Sequence, residues 1–134
     1  MPRSTQRQVA HGLLMVDGKI LVLRRAPGRA SGGRWDIPGG AVAPGGNAAR
    51  AVERRFHEET GLRVRADAEL IRQPGSEAET VIYLVRPAGP TEPVTLGPES
   101  DASAWIPPAG VFSGDVVPYV PLAVAAFQRR PGRR

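Results

Sequence analysis

The sequence contains no cysteine, a single lysine, few aromatic residues and no long apolar run. Without cysteine it has no disulfide, no thiolate metal site and no thiol nucleophile, and it suits a reducing compartment. No stretch approaches the roughly 18 apolar residues of a membrane helix, and the first residues lack an apolar run of the signal-peptide type. The sequence therefore predicts a cytoplasmic protein with no membrane partner.

The same shortages bear on nucleic-acid binding. Lys19 stands beside 17 arginines, and the formal net charge is +5. Four of the arginines lie in the last six residues, so the remainder of the chain is close to neutral. A basic terminus is more typical of a solvated, frayed end than of a binding surface, and no aromatic-rich run is present for base stacking. These features argue against a nucleic-acid partner.

The length of 134 residues predicts one domain, with residues 1–128 as its body and residues 129–134 as a basic tail. Two apolar, β-branched-rich runs flank Asp17-Gly18, a pair typical of a hairpin turn. Residues 27–40 are rich in glycine and proline and are expected to form a loop. The chain thus begins as strand, turn, strand and loop.

A helix is expected from Asn47 to Thr60. Asn47 is a good N-cap, apolar residues recur at helical spacing, and Gly61 is a suitable C-terminal stop. The other expected elements are strands at 62–73 and 79–89, a short strand, acidic loop and second strand within 93–111, and a helix at 120–130. This order of strands and helices indicates a mixed α/β sandwich.

The segment after the expected loop carries a longer pattern. It resembles the Nudix box, G-x5-E-x7-R-E-U-x-E-E-x-G-U, in which U is apolar. The positions that match are Gly40, Arg54, Phe56, Glu58, Glu59, Gly61 and Leu62. Two positions depart from the pattern, because Gly46 and Arg55 stand where the box has glutamates. The segments LVLRRA, RWDIPGG and AWIPPAGV also resemble Nudix counterparts, so the resemblance covers most of the chain.

The resemblance implies an α/β fold, a Nudix-type α/β/α sandwich with a mixed β-sheet. It also implies hydrolysis of a diphosphate linked to another group, with Mg²⁺ or Mn²⁺ as the cofactor. The expected partner is a small molecule such as a nucleotide or another diphosphate, and a homodimer is left open. The metal ligands that the resemblance retains are the Gly40 carbonyl and the carboxylates of Glu58 and Glu59.

Arg55 changes the expected metal chemistry. Magnesium takes oxygen ligands, and a helix brings positions 55, 58 and 59 to one face. A permanent cation at position 55 should weaken metal binding there. Arg55 and Arg54 each lie four residues before a glutamate, so ion pairs are an alternative to a bound metal. Glu53 points to another face of the helix and is expected to be a solvated surface carboxylate.

The candidate catalytic residues are Glu58, Glu59, Glu99 and His11. Some Nudix enzymes carry an additional carboxylate in the loop before Trp105, and Glu99 matches it by distance. His11 is a candidate acid/base residue, with a core histidine as the alternative. We expect His11 and Glu99 to face one cleft with Glu59. The candidate phosphate-binding residues are Arg24, Arg25, Arg34 and Arg54.

Three functions remain open at this point. The first is a Nudix-family protein with impaired or altered metal-dependent hydrolysis, because Gly46 and Arg55 replace box glutamates. The second is a Nudix-fold enzyme repurposed for a metal-independent acid/base reaction, such as an isomerisation or cyclisation, without a cofactor. The third is a non-catalytic ligand-binding domain. Fold alone does not decide among them.

Overall fold

The computed structural model describes residues 7–30, 32–112 and 115–131. The elements, in chain order, are β1 (Arg7–Val16), β2 (Lys19–Arg25), β3 (Trp35–Asp36), β4 (Gly39–Ala41), α1 (Ala48–Thr60), β5 (Val64–Gln73), β6 (Ala78–Pro87), β7 (Ser100–Ile106), a 3₁₀ helix (Pro108–Phe112) and α2 (Tyr119–Gln128). Within the described ranges, no helix is long and apolar enough to span a membrane. Residues 132–134 of the expected basic tail lie outside the described residues.

A mixed sheet of seven strands is built around β1. The hairpin from β1 to β2 turns at Asp17 and Gly18, whose φ angles are both positive, as a tight two-residue turn requires. β1 pairs antiparallel with β2 and β4 and parallel with β6. β3 and β7 pair with β2, and β5 pairs with β6. The predicted hairpin and the predicted mixed sheet are both confirmed.

The two long helices cover opposite faces of this sheet. Side chains alternate along β1, so Leu14 packs in one buried cluster with Phe56 of α1, and Leu13 packs in the other with Val120 of α2. All four of these side chains are fully buried. The arrangement is the predicted α/β/α sandwich.

Helix α1 has the caps expected from the sequence. The Asn47 side chain accepts a hydrogen bond from the Arg50 N–H at 3.0 Å. At the other end Gly61 adopts a φ of 76°, and its N–H donates to the His57 carbonyl at 2.8 Å. These caps set where α1 begins and ends.

The segment between β6 and β7 differs from the expectation of two strands. Residues 93–111 contain one strand, β7, because residues 91–97 dock on the end of α1 instead of pairing in a sheet. The N–H groups of Thr95 and Gly97 donate to the carbonyls of Thr60 and Glu59, at 2.8 and 3.2 Å. These carbonyls lie in the last turn of α1, where they have no partner within the helix. The docking carries the chain past Glu59 and places Glu99 beside α1.

The glycine-rich segment at 27–40 is also more ordered than expected. Trp35 of β3 pairs with Arg24 of β2, and Gly39 and Gly40 of β4 pair with His11 and Ala10 of β1. These pairings depend on strands that are distant in the sequence. They bring the segment directly under α1.

Candidate functional site

Helix α1, strand β4 and the segment before β7 meet around a small cavity. Helical spacing brings Arg55, Glu58 and Glu59 to one flank of α1, and the docked segment adds Glu99. We call Glu58, Glu59 and Glu99 the carboxylate cluster. The cavity beside it has a volume of about 120 Å³ and is lined by these three residues, Arg55, Gly97, Pro98 and Ser100.

The guanidinium of Arg55 lies among the three carboxylates. Its Nη2 is 3.2 Å from Glu59 Oε2 and 3.3 Å from Glu99 Oε1, and its Nη1 is 3.9 Å from Glu58 Oε1. Arg55 also donates a hydrogen bond to Glu99. The sequence predicted the pairing with Glu59 from the spacing of four residues, and the structure adds Glu99 from a distant segment. One cation therefore balances part of the charge of three anions.

Gly40 makes room for this guanidinium. A Cβ atom built at Gly40 would overlap the Arg55 guanidinium, with 2.6 Å between that Cβ and Cζ. At Gly39 a Cβ would instead overlap the Ala10 carbonyl and lie 2.6 Å from the His11 Cα. The absence of a side chain at Gly40 thus lets Arg55 lie flat against β4. Gly39 is needed for the close approach of β4 to β1.

Glu59 is the most perturbed acid of the site. Only 13% of its side chain is exposed, and Oε1 accepts a hydrogen bond from the Gly39 N–H at 3.3 Å. Burial raises the pKa of Glu59 from its usual 4.5 to about 7, although the Arg55 charge and the Gly39 N–H oppose the shift. Glu59 therefore has substantial neutral and ionised populations near pH 7, as an acid/base group requires.

The Arg55–Glu59 contact leaves two polar atoms without hydrogen bonds. Glu59 Oε2 and Arg55 Nε are buried and have no hydrogen-bond partner in the structure. The ion pair is close, but its angles do not make it a hydrogen bond. Because an unsatisfied buried polar atom is costly, this contact is poorly optimised for stability alone.

The residues do not fit the divalent metal that the box resemblance implies. Carboxylate oxygens are suitable ligands for Mg²⁺ or Mn²⁺. However, the oxygens of the carboxylate cluster converge on Arg55, and the Gly40 backbone lies beneath the same guanidinium. Across the described ranges, no group of three or more His, Cys, Asp or Glu residues is arranged to hold a metal ion. With Arg55 in this position, the cation of the site is part of the protein.

The four candidate phosphate-binding arginines are dispersed. Arg24 pairs with Asp101 at 2.8 Å and lies over the Trp35 ring, and Arg34 donates to the Val116 carbonyl at 2.9 Å. Arg25 donates to the Ala30 carbonyl at 2.6 Å. Within the described part of the chain, none of these three contacts the carboxylate cluster. Their role in substrate binding stays a prediction.

Two other α1 residues lie away from Arg55. Arg54 is on the exposed surface of α1, 4.0 Å from Glu58. Its role as a phosphate-binding residue also stays a prediction.

Glu53 is half-buried, and its Oε2 accepts a hydrogen bond from the Ala66 N–H of β5 at 2.9 Å. The expectation that Glu53 points elsewhere is confirmed. The expectation of a solvated carboxylate is wrong, because Glu53 joins α1 to β5.

His11 belongs to a buried network on the α2 side of the sheet. Its Nδ1–H donates to the Ile37 carbonyl at 2.9 Å, and its Nε2 lies 3.1 Å from the Tyr119 hydroxyl. That hydroxyl donates to Asp36 Oδ2 at 2.7 Å, and Arg25 lies 3.7 Å from the same oxygen. Burial and the Asp36 charge raise the pKa of Tyr119 well above its usual value. Sequence reasoning missed Asp36 and Tyr119 as partners of His11.

The backbone contact of His11 fixes one proton of this network. A carbonyl oxygen can only accept, so Nδ1 of His11 carries a proton. The Tyr119 proton is directed to Asp36, and Nε2 of His11 lies within hydrogen-bond distance of the Tyr119 oxygen. Nδ1 of His11 is 3.9 Å from Asp36 Oδ1. Glu99 lines the cavity beside Glu59, whereas His11 contacts Tyr119 of α2 and does not line that cavity. The role of His11 as an acid/base residue stays a prediction.

The network fixes the chain segment that leads to Glu59. Asp36 Oδ1 accepts from the Ile37 N–H at 2.7 Å, and His11 binds the Ile37 carbonyl. The Gly12 N–H then donates to the Pro38 carbonyl at 2.9 Å. The following residue, Gly39, provides the backbone donor to Glu59. The geometry therefore supports a positioning role for His11.

Comparison with known proteins agrees with this architecture. A family model described as the NUDIX domain matches residues 6–125. A MutT-like protein of Streptomyces ambofaciens is 33% identical over 103 residues, which cover 75% of this chain and 62% of that protein. A nucleoside triphosphate pyrophosphatase/Nudix hydrolase fusion protein of Bifidobacterium longum is 32% identical over 111 residues, 73% of this chain and 23% of the fusion. The chain thus spans less than two thirds of either relative.

Solved structures show the same fold. The crystal structure of a MutT protein from Methanosarcina mazei Go1 superimposes with a TM-score of 0.77 at 21% identity. The match covers 96% of this chain and 97% of that one. At this level of identity the likeness concerns the fold.

Glu59→Gln should flatten the dependence of stability on pH. Because the folded protein raises the pKa of Glu59 from 4.5 to about 7, it binds the proton more tightly than the unfolded chain does. The free energy of unfolding should therefore fall as the pH rises through this window, by about 3 kcal/mol in the wild type. Urea denaturation at several pH values measures the slope. Glu58→Gln, at an exposed position of the same helix, should retain it, and equal slopes in wild type and Glu59→Gln would contradict the assignment.

Tyr119→Phe should loosen the Gly39 amide. The change removes the donor to Asp36 and the hydroxyl beside His11 Nε2, so hydrogen exchange at Gly39 should accelerate about tenfold. The other tyrosine provides a matched control, since Tyr83→Phe lies outside the network and should leave Gly39 unchanged. Amide hydrogen exchange at Gly39, measured by NMR, tests this prediction. Equal acceleration at amides throughout β1 and β6 would indicate general destabilisation instead.

Proposed function

Because the chain belongs to the Nudix family, whose members are hydrolases, we propose that it binds a small diphosphate-containing molecule and that its metal-dependent hydrolysis of this molecule is impaired or altered. The observation that carries this proposal is the position of Arg55 within the carboxylate cluster. Family membership supports a nucleotide-type substrate, and the name of the B. longum relative includes a nucleoside triphosphate pyrophosphatase. The bond that we propose is attacked is the diphosphate linkage, whatever group is attached to the diphosphate.

The charge of the site is the main reason to propose impaired hydrolysis. With Glu59 ionised, three carboxylates face one guanidinium, and with Glu59 neutral two still face it. A diphosphate would meet net negative charge in either state, and like charges at close range repel. Divalent metal chemistry would supply the missing positive charge, but the cluster is already engaged by Arg55. A diphosphate can therefore bind well here only if Arg55 moves. If Arg55 stays in place, turnover should be slow.

The proposed acid/base group is Glu59. In its ionised form it can accept a proton from an attacking water, and in its neutral form it can return one to a leaving oxygen. Glu58 and Glu99 would act mainly by setting the charge around Arg55. The cavity of about 120 Å³ is below the 300–1,000 Å³ of usual ligand pockets, so only a phosphate-sized group would enter it.

A second candidate function follows from the same residue. A buried carboxyl with a pKa of about 7 beside a fixed cation is also suited to moving a proton on an uncharged small molecule. An isomerisation or cyclisation without a cofactor would use Glu59 in this way. In that case the protein would still convert its substrate after a chelator has removed divalent metal ions.

Arg55→Glu should create measurable Mg²⁺ or Mn²⁺ binding. The change places three carboxylates on one face of α1 and alters the local charge by two units. Calorimetric titration should show weak or no binding by the wild type and at least about tenfold tighter binding by the variant. Arg54→Glu makes the same change of charge on the exposed surface of α1 and should have a much smaller effect.

The same titration should be accompanied by a phosphate-release screen on nucleoside triphosphates, dinucleotides and sugar nucleotides. Tight metal binding by the wild type, with metal-dependent cleavage abolished by Glu59→Gln, would overturn the proposal and restore an ordinary hydrolase. Turnover that persists in EDTA and is lost in Glu59→Gln would favour the metal-independent function.

Gly40→Ala should open the cluster without changing its charge. The added methyl group would displace the end of the flexible Arg55 side chain, which costs little because no backbone must shift. We expect metal binding between that of the wild type and that of Arg55→Glu, with nearly unchanged thermal stability. Gly110→Ala, where a Cβ meets only ordinary contacts, serves as the control. Binding no tighter than the control would count against exclusion by Arg55.

A further inference from the structure

We propose that the other flank of α1 holds a second binding site, for a short chain of linked phosphates. A groove of about 780 Å³ lies there between α1, residues 42–47 and the start of β5. We call it the outer groove. Its charged lining residues are Arg50, Arg54, Arg63, Arg65, His57, Glu53 and Glu58. This proposal does not depend on the function proposed above.

Most of the arginines of the outer groove are available to bind an anionic ligand. Arg50, Arg63 and Arg65 are exposed, and their side chains form no ion pair with any described residue. The two acids of the groove already have partners, one of which is the groove residue Arg54. Glu53 accepts from the Ala66 N–H, and Glu58 is shared between Arg54 and Arg55. Free guanidinium groups therefore line both walls.

The walls present these groups at regular separations. Arg50 and Arg54 are one helical turn apart on α1, and Arg63 and Arg65 are two residues apart where β5 begins. Each pair is thus separated by about 5–7 Å along its element. A ligand lying between the two pairs would contact cations from both sides. This geometry suits an extended anion more than a single compact one.

The departure at Gly46 acts in this groove and not in the carboxylate cluster. Gly46 lines the outer groove, and the box pattern has a glutamate at this position. Glycine therefore leaves this groove without the carboxylate that the box pattern places at position 46. The two departures from the box act at separate places. Arg55 adds a cation to the acidic site, and Gly46 withholds an anion from the basic one.

The lining indicates the chemistry of the ligand. Guanidinium groups bind phosphate oxygens in a bidentate manner. The volume of the outer groove is within the usual range for ligand sites and well above that of one phosphate. None of its lining residues is Phe, Tyr or Trp, so it offers no platform for stacking a base. Recognition through several phosphates is the chemistry that remains.

Titration with inorganic tripolyphosphate tests the site. At low ionic strength, NMR shifts should concentrate at the amides of residues 47–50 and 63–66. Arg50→Gln combined with Arg65→Gln removes one cation from each wall and should weaken binding at least about tenfold. Arg7→Gln combined with Arg29→Gln removes the same charge at exposed positions outside the groove. This control should stay within about twofold of the wild type.

Three results would overturn the proposal. Equal weakening in the control pair would show a general charge effect. Shifts concentrated at Arg55, Glu59 and Glu99 would place tripolyphosphate in the carboxylate cluster, where its binding would instead bear on the proposed function. Tighter binding of a short DNA duplex than of tripolyphosphate in the outer groove would assign the site to a nucleic-acid backbone.

Discussion

One guanidinium, that of Arg55, is held among three carboxylates beside α1. Burial makes the ionised form of Glu59 costly, and Arg55 offsets only part of that cost because it also faces Glu58 and Glu99. The contact leaves one buried atom on each partner without a hydrogen bond. Such an arrangement is poorly suited to stabilising the fold. It is consistent with the proposal that the Arg55 side chain occupies the place of a metal.

The rest of the structure holds this site from several directions. Gly40 provides the space for Arg55, and Gly39 donates to Glu59 from the same strand. That strand is fixed in turn by His11 and its partners on the opposite face of the sheet. The sheet therefore transmits constraints from α2 to α1. A change at Tyr119 would reach Glu59 through backbone hydrogen bonds and through the charge of Asp36, which acts on Glu59.

The sequence predicted the parts of the site that depend on local spacing. The caps of α1 and its helical intervals are local features, and they are enough to place Arg55 beside Glu59. Glu99 is 44 residues from Arg55, and Tyr119 is 108 residues from His11. Those contacts arise from packing of distant segments, which no local pattern encodes. The partners of His11 are unpredictable for the same reason, since strand alternation gives a face but not the neighbours on that face.

The central claim is that Arg55 occupies the place of the metal, and anomalous diffraction from crystals soaked in MnCl₂ tests it most directly. The account predicts no manganese peak among Glu58, Glu59 and Glu99, with the Arg55 guanidinium still between Glu59 and Glu99. A manganese ion bound to Glu58 and Glu59, with Arg55 turned away, would contradict it.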